Sequence, residues 1–177
     1  MLPEYGGVVL DTDDVAHELE ASGGAAVPPI RKAFGGQVLS DDGSVDRVKL
    51  GRIVFSDSRA LAKLDSIIHP LIVREVAAWL EKTADVRFKA VLVPLLFESG
   101  FDAVFQWDGI LAVVCHEEEQ LRRLRLRGHD DLEAHARIAA QLPCLEKAKR
   151  SDYTIWNDDD LSALRGEVAK ALDALLI

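Results

Sequence analysis

The placing of short apolar runs restricts this chain more than any other feature. Val8–Leu10, Ala90–Leu96 ("AVLVPLL") and Ile110–Cys115 ("ILAVVC") are apolar on both faces and rich in β-branched residues. A fourth run, Tyr153–Trp156, is shorter and bounded by polar residues. Such runs read as buried strands, and segments of helical periodicity lie between and after them. Strands apolar on both faces and separated by helices predict an α/β fold with a parallel sheet covered on both sides.

The interval between the first and second runs is too long for one crossover helix. It carries helical patterns near 14–20, 26–34, 46–54, 57–65 and 69–82, punctuated by Gly35-Gly36 and Asp41-Asp42-Gly43. This predicts one domain, with a core of 1–13 and 88–177 and a helical insertion over about 14–87. The last helix, about 160–175, puts Leu161, Leu164, Val168, Leu172 and Leu175 on one stripe.

Charge narrows the function. A net charge of −9 argues against general nucleic-acid binding and against an anionic membrane surface. No 18-residue apolar run exists, and "MLPEYGG" has neither the basic start nor the apolar core of a secretory signal. Cys115 and Cys144 lack metal-ligand spacing and read as reduced thiols, so a cytoplasmic protein is expected.

The first run ends in Asp11, Thr12, Asp13 and Asp14. Ligands of open α/β sheets bind beyond the carboxyl ends of strands, so these carboxylates are candidates for chemistry. The plain alternative is that Thr12 or Asp13 caps the following helix. Two chemistries fit "DTDDV". One is a haloacid-dehalogenase-type phosphatase, with Asp11 as nucleophile, Asp13 as acid/base and Asp158-Asp159 completing a Mg²⁺ site. Its expected Ser or Thr at the end of the second strand is absent, since Ser99 comes late. The other is a kinase, in which a carboxylate takes the proton of an attacking hydroxyl and cations neutralise phosphates.

Residues 121–128, "LRRLRLRG", supply such cations: Arg122, Arg123, Arg125 and Arg127. Arg123 and Arg127 share one helical face. A solvated face balanced by Glu117, Glu118 and Glu119 is the bland reading. Four guanidinium groups in six positions nevertheless call for anions, and arginine forks suit phosphate oxygens.

Five segments together resemble the dephospho-coenzyme A kinase family along the whole chain. "VLDTDDVAHEL" is similar to that family's V-I-D-A-D-x-I-A-H/R segment and "IIHPLI" to its H-P-L-I segment. "VLVPLLFESG" is similar to its V-P-L-L-x-E strand end, and "QLRRLRLRG" to its lid. "RIAAQLPCLEKAKRSDYTIWN" resembles I-x-x-Q-x-P-x-x-E-K-x-x-x-A-D-x-V-I-x-N. The resemblance implies a three-layer P-loop-kinase-like fold and phosphorylation of the ribose 3′-hydroxyl of dephospho-coenzyme A by ATP with Mg²⁺. It implies Asp13 as base with Asp11 beside it. His69, Arg74, Leu96 and Glu98 would hold substrate, and Glu98 would orient substrate or a magnesium-bound water. Arg123 and Arg127, in a lid over about 119–147, would close on phosphates, and Asn157 would lie by the adenine.

One family motif has no counterpart. That family opens with a central strand and G-x-x-x-x-G-K-[ST], whose backbone wraps the phosphates. None of the "GG" pairs at 6–7, 23–24 and 35–36 leads into Lys-Ser or Lys-Thr. The chain resembles a member cut near the end of its first helix, a start that upstream coding DNA would show to be misplaced. The missing strand would lie between "AVLVPLL" and "ILAVVC", leaving backbone groups that each cost about 1–3 kcal/mol if buried unpaired. Either those two strands pair directly, another chain fills the gap as in a homo-oligomer, or the fold is weakened. ATP and Mg²⁺ binding, and with them activity, are then expected to be weak; a non-catalytic coenzyme A-binding protein is the alternative. After Asn157 the family often has small residues, where this chain has Asp158-Asp159-Asp160.

Overall fold

A computed structural model describes residues 1–83 and 86–176. The chain divides into two compact units, Gly6–Val93 and Met1–Tyr5 with Pro94–Ile177.

The unit of residues 6–93 holds β1 (Gly7–Asp11), α1 (Thr12–Glu20), α2 (Val27–Phe34), α3 (Arg47–Val54), α4 (Ser58–Lys82) and β2 (Phe88–Leu92). β1 and β2 pair in parallel, from Gly7 opposite Phe88 to Asp11 opposite Leu92. A Cβ at position 7 would fall 2.2 Å from the Phe88 ring, so any other residue there would force that ring to move. The core sits among the helices, where Val15, Leu19, Ala26, Ile30, Val38, Val45, Leu50 and Val54 are buried. Leu61, Leu64, Ile68 and Leu71 of α4 pack against it at helical spacing. α2 starts with Pro28 and Pro29 in its first turn, where a missing N–H costs nothing.

Two elements differ most from those read in the sequence. The segments 57–65 and 69–82 are one helix, α4, capped by Asp57 and running through Pro70. Ser66 and Pro70 are both exposed, so the carbonyl that Pro70 leaves without a partner lies on a wet face. The second strand was expected over 90–96 but spans 88–92. Pro94 follows and has no N–H for the ladder.

The other unit holds β3 (Leu111–Val114), α5 (Glu117–Leu126), α6 (Asp131–Ala139), α7 (Cys144–Arg150), β4 (Tyr153–Trp156) and α8 (Leu161–Leu175). β3 and β4 pair in parallel, Leu111 opposite Tyr153 through Val114 opposite Trp156. Val114, Ile155, Val168, Ala171 and Leu172 are buried here, as is Phe101, whose ring stacks on Trp107 at 6.2 Å.

The described strands thus form two separate two-stranded parallel sheets. Direct pairing of the second and third apolar runs, one option left by the sequence, is not the arrangement adopted. Nor are the strands fully buried as their composition suggested: Leu92 is 42% and Val113 54% exposed. With one ladder partner per strand, apolar side chains near each free edge keep contact with solvent. Among the described residues no helix is long and apolar enough to cross a membrane.

Candidate functional site

The carboxyl end of β1 is built from its own polar residues. The Thr12 hydroxyl donates to the Leu92 carbonyl at 3.0 Å, fastening the end of β1 to that of β2, and Thr12 is buried. The helix cap is Asp11, not Thr12 or Asp13: its carboxylate accepts the Asp13 N–H at 2.9 Å. Asp13 and Asp14 are exposed in the first turn of α1, where the helix dipole favours negative charge. Asp13 therefore presents a carboxylate to solvent at the strand end, while Asp11 is committed to the backbone.

Three residues lie beside this turn, of which only His17, at the H/R position of the matched segment, carried a signal in the sequence. The His17 ring contacts the Asp13 carbonyl through Nδ1 at 2.8 Å and Arg47 through Nε2, and Arg47 also pairs with the buried Glu20. The spacing of Asp13 and His17 by one helical turn was legible; the partnership with Arg47, from another helix, was not.

His69 and Arg74 both lie on α4, His69 half-buried and Arg74 exposed. Arg74 pairs with neighbouring Glu75 at 3.2 Å, a contact between exposed groups that adds little to stability.

In the other unit, Leu96 and Glu98 lie in the turns after Pro94. The Leu96 carbonyl accepts the Phe101 N–H at 3.0 Å. Glu98 holds the Lys147 ammonium at 2.8 Å and accepts the Leu142 N–H at 2.9 Å, with only 18% of its side chain exposed. Burial opposes its charge, but Lys147 and Leu142 outweigh that, so its carboxyl titrates below the usual range. Glu98 thereby ties residues 142–147 to the turn.

The arginine cluster has its anions. Glu119 takes Arg122 in a two-pronged pair at 2.6 and 2.7 Å, and Arg123 at 2.6 Å. The Arg122 hydrogen bond first, then Arg123, hold the Glu119 carboxyl at about 2. Arg125 pairs with Asp131 at 2.6 Å. Arg123 also donates to the Asn157 carbonyl at 2.6 Å, so these two predicted residues meet. Arg127 closes α5, is exposed, and has no side-chain partner among the described residues. Gly128 follows with φ +89°, turning the chain into α6.

The Asn157 N–H bonds the Val114 carbonyl at 2.7 Å, and Asn157 lines an open cleft of about 420 Å³ with Trp156, Ser162 and Lys170. The acids after it are largely accounted for. Asp158 pairs with His116 at 2.7 Å, and bonds from the His116 backbone and ring lower its pKa. Asp160 caps α8, and Asp159 lines the cleft. The His116 ring in turn stacks on Trp156 at 4.5 Å. Burial pushes the Cys115 thiol up, although Arg123 opposes this. Among the described residues no group of three or more His, Cys, Asp or Glu converges on a metal position.

This fold has solved counterparts. The crystal structure of TT1252 from Thermus thermophilus matches 99% of the chain and 88% of its own length, with a TM-score of 0.83 and 31% identity. Dephospho-CoA kinase from Campylobacter jejuni shares the fold over 98% of the chain and 87% of its own, at 24% identity and a TM-score of 0.64. Parallel strands, the first ending in a carboxylate, with an arginine-bearing helix after the third strand, give an α/β fold of the P-loop-kinase-like class.

A family model described as CoaE, dephospho-CoA kinase, matches residues 1–163. Dephospho-CoA kinase of Geobacillus kaustophilus is 40% identical over 99% of the chain and 89% of its own length; that of Bdellovibrio bacteriovorus is 36% identical over 97% and 86%. The chain belongs to the dephospho-CoA kinase family. It is a phosphotransferase of the last step of coenzyme A biosynthesis, in a family that uses ATP. The phosphatase reading, the non-catalytic reading and the expectation of weak activity find no support in these relatives.

Proposed function

We propose that this chain transfers the γ-phosphoryl group of ATP to the ribose 3′-hydroxyl of dephospho-coenzyme A, with Asp13 as base. The Asp13 carboxylate accepts the hydroxyl proton as the ribose oxygen bonds to γ-phosphorus. The bond from phosphorus to the β-phosphate oxygen breaks, and ADP leaves with that electron pair. Asp11 holds the Asp13 amide rather than reacting. His69 and Arg74 on α4 contribute to holding the acceptor, as does Leu96. Glu98 supports the segment that carries Lys147 rather than touching substrate. Arg127 neutralises phosphate oxygens, and Arg123 sets the position of the Asn157 backbone, beside which the adenine lies.

The observation that carries this reading is the difference among the arginines. Arg122, Arg123 and Arg125 are engaged by carboxylates, whereas Arg127, at the end of α5, has no side-chain partner among the described residues. A coupled assay with dephospho-coenzyme A and Mg-ATP tests it. Arg127→Ala is expected to lower kcat/KM by roughly 10²-fold, in the range of a lost transition-state charge contact, with melting unchanged. Asp13→Asn is expected to lower kcat by about 10²–10⁴-fold. Activity retained by Asp13→Asn would remove the base from this scheme.

A further inference from the structure

The peptide groups of Asp13 are held on both sides. Its N–H donates to the Asp11 carboxylate at 2.9 Å, and its carbonyl faces the His17 ring at 2.8 Å. A carbonyl only accepts, so Nδ1 of His17 carries a proton. A guanidinium only donates, so Nε2, which faces Arg47, is an acceptor. Both contacts are satisfied by the tautomer with its proton on Nδ1, which Arg47 selects. Arg47 is itself anchored by the buried Glu20. It opens α3, and the approach to α3 is bonded twice more: Val45 N–H to the Glu20 carbonyl at 2.9 Å and Asp46 N–H to the Val38 carbonyl at 2.8 Å. A chain of contacts thus runs from the core end of α1 through Arg47 and His17 to the backbone of Asp13.

We infer that His17 and Arg47 are positioning residues that fix the direction of the Asp13 carboxylate. The inference rests on the assignment of Asp13 as base. The tautomer matters because a ring protonated on Nε2 alone would turn a lone pair toward the Asp13 carbonyl and a proton toward a cation. Neither group touches the reacting atoms, and neither exchanges a proton in the reaction. The chain also links the Asp13 turn to α3, so displacement of the start of α3 is felt at the base.

Long-range ¹H–¹⁵N NMR of the imidazole, hydrogen exchange over residues 11–17 and steady-state kinetics test this together. The parent protein is expected to carry the His17 proton on Nδ1. Arg47→Ala is expected to redistribute that proton, speed exchange at the Asp13 turn and lower kcat roughly ten- to hundredfold, as for a small misplacement of a catalytic group. KM for ATP is expected to stay within about twofold, since binding is not what is lost. Arg47→Lys keeps the charge but not the fork and falls between. Lys49→Ala, at the same helix start but outside the chain, keeps the parent kcat. Should Arg47→Ala fail to fold, His17→Ala at its exposed site gives the exchange and kinetic readouts. A parent ring protonated on Nε2 overturns the inference, as do unchanged exchange and kcat in the variants. If the parent shows no turnover, the assignment of Asp13 as base fails, while the NMR and exchange data still decide the clamp.

Discussion

Lys147→Met probes how residues 142–147 are held in place. Lys147 and Glu98 form an ion pair at 2.8 Å, with 16% and 18% of their side chains exposed. Removing the cation strands a mostly covered carboxylate. For a fully buried pair the loss is about 3–5 kcal/mol. Here the residual exposure and the retained Leu142 N–H bring the expectation to about 1.5–3 kcal/mol. At roughly 2–4 °C per kcal/mol for a chain of this size, melting falls by about 3–12 °C. Glu98→Gln keeps an acceptor for Leu142 without the charge, so adding it to Lys147→Met recovers stability. A urea double-mutant cycle is expected to give a coupling of about 1–2 kcal/mol. The dependence on acidity follows from the direction of the Glu98 shift. Its folded value lies below the ordinary 4.5, so the pair stabilises fully above 4.5 and loses its effect as pH falls through the lowered value. The gap between parent and Lys147→Met should close over that fall. A coupling under about 0.3 kcal/mol, or a gap indifferent to acid, would refute the reasoning.

Three further outcomes are expected. Ile30 is fully buried in the helical core, so Ile30→Ala should cost about 2–5 kcal/mol in chemical denaturation; a loss under about 1 would mean the site collapses around the gap. Asp11→Ala should cost about 1 kcal/mol through the lost cap, whereas Asp11→Asn, which still accepts from the Asp13 amide, should melt close to the parent. Glu119 should titrate near 2 by ¹³C NMR, and its Arg122 and Arg123 pairs, stabilising above the ordinary 4.5, should survive until acidity approaches that value; a midpoint near 4.5 would show them to be broken in solution.

The strands and most helices were legible because their apolar periodicity is strong. The ends were less so. Pro94 cuts the second apolar run, yet composition alone carried it on to Leu96. Pro70, read as a helix start, sits inside a helix because packing of Leu61, Leu64, Ile68 and Leu71 outweighs one lost bond. Candidate site residues were legible where a motif names them. Their partners were not, since Arg47 to His17, Lys147 to Glu98 and Asp158 to His116 join residues 30 or more positions apart. The cluster at 122–127 shows the same limit: which arginine lacks a partner among the described residues depends on Asp131, in the next helix, and on both carboxylate oxygens of Glu119.

At 1.5 Å per residue, the 25 residues of α4 make a rod about 37 Å long. Its first half is wedged against the core, and its second half leads toward β2. Bending costs least where a backbone bond is already missing, which is at Pro70, between His69 and Arg74. A tilt of roughly 5° there would swing the tip by more than an ångström over half that length. The two side chains matched to acceptor binding therefore flank the most compliant joint of the longest helix, so a ligand grasped there would be felt as a change in that helix's curvature.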